Sequence, residues 1–204
     1  MKFLAVPAFL ALALTGSEPK PLTLDEALAE VTGEVTQPVQ EAEEEVAVAP
    51  TEKVWVCEGC NDNEKQTLAF LQERGIKDRA ALATVMGNIR QESMFLTDIC
   101  EGGARVPYHQ CYSGGFGLIQ WTSINRYRGL GSFAAKYGLS PTSLEAQLRW
   151  MVNEPQWVRF ETYLKGEGQS IEYYMKHAYP WLGWGIHGAR TQYSYNYYNR
   201  LTQA

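Results

Sequence analysis

Residue 92 is a carboxylate placed where a helix ends and water is scarce. Leu82, Val85, Met86 and Ile89 fall at i, i+3, i+4 and i+7, a single apolar stripe, and three residues further on the stripe reaches Glu92. At roughly 100° per residue, Glu92 borders that stripe beside Val85. Withdrawal from water disfavours the charged form of a carboxyl, and the negative end of the helix dipole pushes the same way. A carboxyl that keeps its proton near neutral pH is suited to general acid catalysis. Taken alone, the residue reads more simply as a solvated glutamate at a helix end.

A second segment adds weight to the chemical reading. Residues 113–122 read SGGFGLIQWT. Gly114, Gly115 and Gly117 permit unusual dihedrals and close approach of backbone to a ligand. Gln120 offers donors and an acceptor suited to an N-acetyl group or a sugar hydroxyl, and Trp121 offers a face on which a sugar ring can stack. A plain glycine-rich turn, with Thr122 capping the next helix, accounts for the glycines and Thr122 but not for Gln120 and Trp121 beside them.

These residues need elements to hold them. The spacing predicts a run of helices from residue 54 onward, with a Gly-rich loop or β region near 100–121. The first helix is expected over Asn63–Arg74, capped by Asp62 or Asn63 and ended by Gly75. Asp78 caps the second, which carries Glu92. A third covers Ser123–Tyr137. Thr142 and Glu145 form a T-x-x-E capping box for a fourth, with Leu144, Leu148, Met151 and Val152 as its stripe. Ser170 caps a fifth, and residues 188–202 make a sixth.

The Glu-Ser pair at a helix end, followed by the glycine segment, resembles the lysozyme superfamily, goose-type lysozymes and lytic transglycosylases included. The phage tail lysozyme family resembles it more closely. The shared residues are Gly87, Asn88, Ile89, Glu92, Ser93 and Phe95, then Gly114, Gly115, Gly117, Leu118, Gln120, Trp121 and Thr122, then Glu145, Gln147 and Leu148. Order and spacing agree over residues 63–154; towards the C-terminus the likeness is loose. AYPWLGWGIHGAR stands there in place of the E-R-P-like segment of family members.

The resemblance implies a mainly α, lysozyme-like domain that cleaves peptidoglycan. Glu92 would protonate the glycosidic oxygen between N-acetylmuramic acid and N-acetylglucosamine. A hydrolase also needs a base on the opposite face, an inverting pair standing about 6.5–9.5 Å apart. Asp98 and Glu101, on the loop after Glu92, are the candidates. A lytic transglycosylase, giving anhydro-muramic ends, needs no second carboxylate. Ser93 caps, packs or bonds the substrate; Gly115, Gly117, Gln120 and Trp121 line the substrate site; Tyr193 or Tyr197 orients Glu92 by analogy with transglycosylases. A virion module that binds glycan without cleaving it is the rival, but binding alone has no use for an acid at residue 92. A cell-wall peptidase finds no Cys-His or zinc spacing in its favour.

The four cysteines, Cys57, Cys60, Cys100 and Cys111, allow three pairings. Cys100–Cys111, stapling the loop, with Cys57–Cys60 is the favoured set; crossed pairs and a zinc site built on CEGC stay open. His109, His177 and His187 are scattered, so no metal or other cofactor is expected. The aromatic run Tyr179, Trp181, Trp184, Tyr193, Tyr195, Tyr197 and Tyr198 divides between cleft and core, at least half of it core.

Charge is unevenly placed. The net charge is -5, yet residues 18–53 hold ten acidic and only two basic residues, so the remainder is close to neutral. No basic stripe suited to nucleic acid is present. Residues 1–16, a lysine before a short apolar run, read as a signal peptide engaging the export machinery or the membrane. Residues 17–53 read as an acidic, disordered linker, and 54–204 as the catalytic domain. An exported, periplasmic or extracellular monomer follows, acting as a phage endolysin or wall-remodelling enzyme; the alternative is a virion-associated protein.

Overall fold

The computed structural model describes residues 54–112 and 114–204. The expected signal segment and linker, and Ser113, lie outside the described residues. A short strand β1 (Trp55–Cys57) leads into seven helices: α1 (Asp62–Glu73), α2 (Arg79–Ser93), α3 (Ile124–Lys136), α4 (Leu144–Asn153), α5 (Pro155–Leu164), α6 (Ile171–Leu182) and α7 (Arg190–Arg200). Strand β2 (Leu201–Gln203) follows and pairs antiparallel with β1, Trp55 opposite Gln203 and Cys57 opposite Leu201. The domain is mainly α, as the spacing predicts.

The helix starts show which side chain wins each cap. Asn61 caps α1: its side chain accepts from the Glu64 amide, while the Glu64 carboxylate accepts from the Asn61 amide at 2.7 Å. The expected caps Asp62 and Asn63 lie inside the helix. Asp78 caps α2, Ser123 caps α3 and Ser170 caps α6. Thr142 does not cap α4. Ser143 does, accepting from the Ala146 amide, while the Thr142 hydroxyl bonds to Ser140 and Glu145 pairs with Arg149. Helix α5 goes beyond the six expected. Pro155 occupies its first turn, where a missing N–H costs nothing, and Trp157, Phe160 and Leu164 form its buried stripe.

Helix α2 is the central element. Residues Ala80–Ile89 are buried without a break, so the helix is covered on all sides. Its most extensive neighbour is α7. At the crossing, a Cβ on Gly87 would stand 2.3 Å from Ser194 Oγ and 2.4 Å from the Ser194 backbone nitrogen. Only glycine lets the two backbones come that close. A second aromatic layer, Trp157, Phe160 and Trp181, closes the core beneath α5 and α6, with Phe160 and Trp181 stacked at 5.3 Å. Of the C-terminal aromatic run, Trp181 and Tyr197 are core, while Tyr179 and Tyr195 are exposed.

Both favoured disulfides form, Cys57–Cys60 and Cys100–Cys111. The second staples a loop that also carries the bridges Ile99–Arg105 and Cys100–Phe116. The aromatic pair Tyr108 and Tyr127, stacked at 4.3 Å, ties that loop to α3, each hydroxyl donating to the other residue's carbonyl.

Candidate active site

The chain turns sharply one residue after the Glu92–Ser93 pair. Met94 and Phe95 are consecutive left-handed residues, φ 52° and 65°, a conformation that costs side-chain-bearing residues energy. Three contacts hold them there. The Ser93 hydroxyl accepts from the Phe95 amide, the Asn63 side chain donates to the Phe95 carbonyl, and the Phe95 ring is buried edge-on against Tyr197. Helix α2 therefore stops abruptly, with Glu92 in its last turn and facing α7.

What Glu92 meets there is Arg190. Nη2 of Arg190 donates to Oε1 of Glu92 at 2.6 Å, across 98 residues of sequence. The side chains are 5% and 15% exposed, so this is a largely desolvated ion pair. Gln91 sets up the approach by accepting from the Ala189 amide at 2.8 Å, and Gly188 leaves the room its side chain needs. The Trp184 ring covers the guanidinium at 4.7 Å. Burial pushes the Glu92 carboxyl above the usual carboxylate range; the charge and hydrogen bond of Arg190, and the charge of Arg126, oppose that rise without cancelling it.

Arg126, on α3, is itself neutralised. It grips Glu154 with two hydrogen bonds, 2.7 and 2.8 Å, and the Trp121 indole donates to the same carboxylate at 3.0 Å. Glu154 is 1% exposed and Trp121 fully buried. Trp121 is therefore not a stacking platform for sugar, as its position beside Gln120 suggests. Its indole N–H finds a buried partner inside the protein, and its body fills the core.

The glycine segment is held by glutamines. Gln147, fully buried on α4, accepts from the Leu118 amide and donates to the carbonyls of Thr97 and Pro141. A Cβ on Gly117 would stand 2.6 Å from the Gln147 amide, and one on Gly115 would stand 2.9 Å from Gln120. The space these glycines leave is taken by protein side chains. Gln120, half-buried at φ 51°, spends its amide donors on the carbonyls of Gly117 and Ile99. Ser93 ties helix to loop by donating to the Leu118 carbonyl at 2.8 Å and is buried, so it packs rather than meeting solvent.

The remaining expected residues scatter. Asp98 is paired with Arg105, and the exposed Glu101 lies against Gly114. Among the described residues neither bonds to Glu92. Tyr197 is buried and donates to Glu64, and burial, with that contact, pushes its hydroxyl far above the ordinary tyrosine range. It does not orient Glu92. Tyr193 is half-buried on α7, one turn beyond Arg190. Arg190, Arg126, Glu154 and Gln91 have no local signal in the sequence, because their partners lie 28 to 98 residues away. Gln147 was visible only as part of the family pattern.

A mainly helical domain with an acid at the end of a buried helix, braced by a stapled glycine loop, has a lysozyme-like fold. The phage tail lysozyme family model matches residues 62–199, and the chain belongs to that family. No curated protein matches the chain.

Proposed function

We propose that the protein is a glycan-strand hydrolase of peptidoglycan. It cleaves the β-1,4 bond between N-acetylmuramic acid and N-acetylglucosamine, with Glu92 as general acid. The observation that carries this reading is the Glu92 carboxyl itself. It is the residue of the family's Glu-Ser pair, it ends a buried helix, and burial raises its pKa, which a proton donor near neutral pH requires. Membership of a lysozyme family supports peptidoglycan as the substrate class. Membership of the same family supports a phage origin, with wall lysis or penetration as the role. The two disulfides fit a protein that works outside a reducing cytosol.

Lytic transglycosis is the second reading. The Asp98 carboxylate is engaged by Arg105, which leaves Glu101 as the freer candidate for a base, and a transglycosylase needs none. Mass spectrometry of the products from purified peptidoglycan separates the two. Reducing muramic ends mean hydrolysis, with Glu101 or Asp98 as base. Anhydro-muramic ends mean Glu92 works alone. Glu92→Gln keeps the shape and removes the donor, so wall cleavage should fall by about 10²–10⁴-fold. Undiminished cleavage by that variant sinks the acid assignment; no glycan products from folded wild type favours a binding module.

A further inference from the structure

Arg74 and Glu161, far from the site, form a forked pair at 2.8 and 3.0 Å, and Arg126 and Glu154 form another. A fork spends both carboxylate oxygens and is the ordinary way a protein satisfies a buried ion pair. The pair at Glu92 is different. Arg190 uses one nitrogen on one oxygen, Oε1. Its Nε and Nη1 are buried with no hydrogen-bond partner among the described residues, although unpaired buried donors cost stability. Trp184 lies over the guanidinium, and Gln91 holds the backbone beside it at Ala189.

We propose that Arg190 is a positioning residue that reserves Oε1 of Glu92 as an acceptor and so leaves Oε2 as the oxygen that carries and delivers the proton. This inference rests on the reading of Glu92 as the acid. An oxygen facing a guanidinium N–H is a poor place for a proton; the other oxygen takes it. On cleavage the proton leaves Oε2 for the glycosidic oxygen, the anomeric C–O bond breaks, and the departing sugar keeps the proton as its hydroxyl. Water (or, in transglycosylation, the substrate's own hydroxyl) bonds to the anomeric carbon and gives up a proton to a base. The carboxylate left behind is already paired through Oε1. Arg190 is 4% exposed, so its role runs through Glu92 rather than through a contact of its own with the glycan. The other charge near Glu92 is Arg126 from α3, and Glu154 answers it.

The test uses the full chain and soluble, uncross-linked glycan strands. Arg190→Met keeps the stem and removes the charge. It should lower kcat by about 10–100-fold with KM nearly unchanged, and move the alkaline limb of the kcat/KM profile up by about one pH unit, because the opposing charge is gone. Arg190→Lys should return the limb to near its wild-type position and recover only part of kcat, since an ammonium lacks the planar guanidinium that lies over Trp184. A folded Arg190→Met protein with an unmoved limb and wild-type kcat overturns the inference, as does a loss confined to KM. If Arg190→Met does not fold, Trp184→Ala serves. It loosens the guanidinium without removing it, and should lower kcat several-fold; a wild-type kcat there overturns the inference too. Full cleavage by Glu92→Gln would instead mean that the acid reading had failed, whatever Arg190 does.

Discussion

Gly87→Ala tests whether the site is built by helix contact. Two effects compete. Alanine is the better helix former by about 1 kcal/mol, so an exposed position would gain stability. Here the added methyl would stand 2.4 Å from the Ser194 backbone nitrogen and 2.7 Å from its Cα. Ordinary contact begins near 3.4 Å, and a backbone atom in a helix cannot step aside alone. The helices α2 and α7 must therefore part by roughly 1 Å, and overpacking of this kind costs about 1–3 kcal/mol, at the upper end when backbone is struck. The net expectation is a loss of about 2 kcal/mol, read as a lower urea midpoint with an unchanged slope. The same parting draws Arg190 off Glu92, whose contact is only 2.6 Å to begin with. A displacement of about 1 Å at a catalytic group can cost 10²-fold in rate, so cleavage should suffer beyond the loss of folded protein. Equal or greater stability with full activity would refute the idea that close packing at Gly87 sets the site.

Gln147→Leu should cost about 2–4 kcal/mol, because it removes three hydrogen bonds and leaves the Leu118 amide buried without an acceptor; thermal melting checks it. Glu154→Gln should destabilise by about 2–4 kcal/mol, since it strips a mostly buried Arg126 of its counter-charge. It should also lower the alkaline limb of the pH–rate profile, as the freed Arg126 charge favours ionised Glu92. Folding raises the Glu92 pKa above its ordinary 4.5, so the folded protein binds the extra proton between 4.5 and the raised value. That contribution to stability is greatest below 4.5 and is lost as pH rises through the window, and Glu92→Gln should abolish this slope in urea midpoints taken across it.

Patterns with a short period were readable. The stripe from Leu82 to Ile89 placed Glu92 on α2 because helical periodicity carries three residues past the last apolar one. The caps at Asp78 and Ser170 were readable for the same local reason, whereas the cysteine pairing was a favoured choice among three that only the fold decides. The Ser143 cap was obscured by the capping-box pattern of Thr142 and Glu145, in which one residue of offset changes the owner. Helix α5 carries a stripe at Trp157, Phe160 and Leu164, but α4 and α5 abut with only Glu154 between them, so no loop in the sequence marks where one ends and the other begins. The brace around the acid was not legible at all. Arg190, Arg126 and Glu154 matter through tertiary contacts that no window of sequence contains. Trp121 is the reverse case: its residue type suits a sugar, but its partner is a carboxylate of the protein.

The pairing of β1 with β2 brings the two ends of the folded unit together. Trp55 stands opposite Gln203, and the Ala204 amide donates to the Val54 carbonyl at 3.0 Å. Whatever is joined before residue 54 and whatever is joined after residue 204 must leave from a single point on the surface. A load applied at those two ends falls first on the three β1–β2 residue pairs rather than on the helices that carry Glu92 and Arg190.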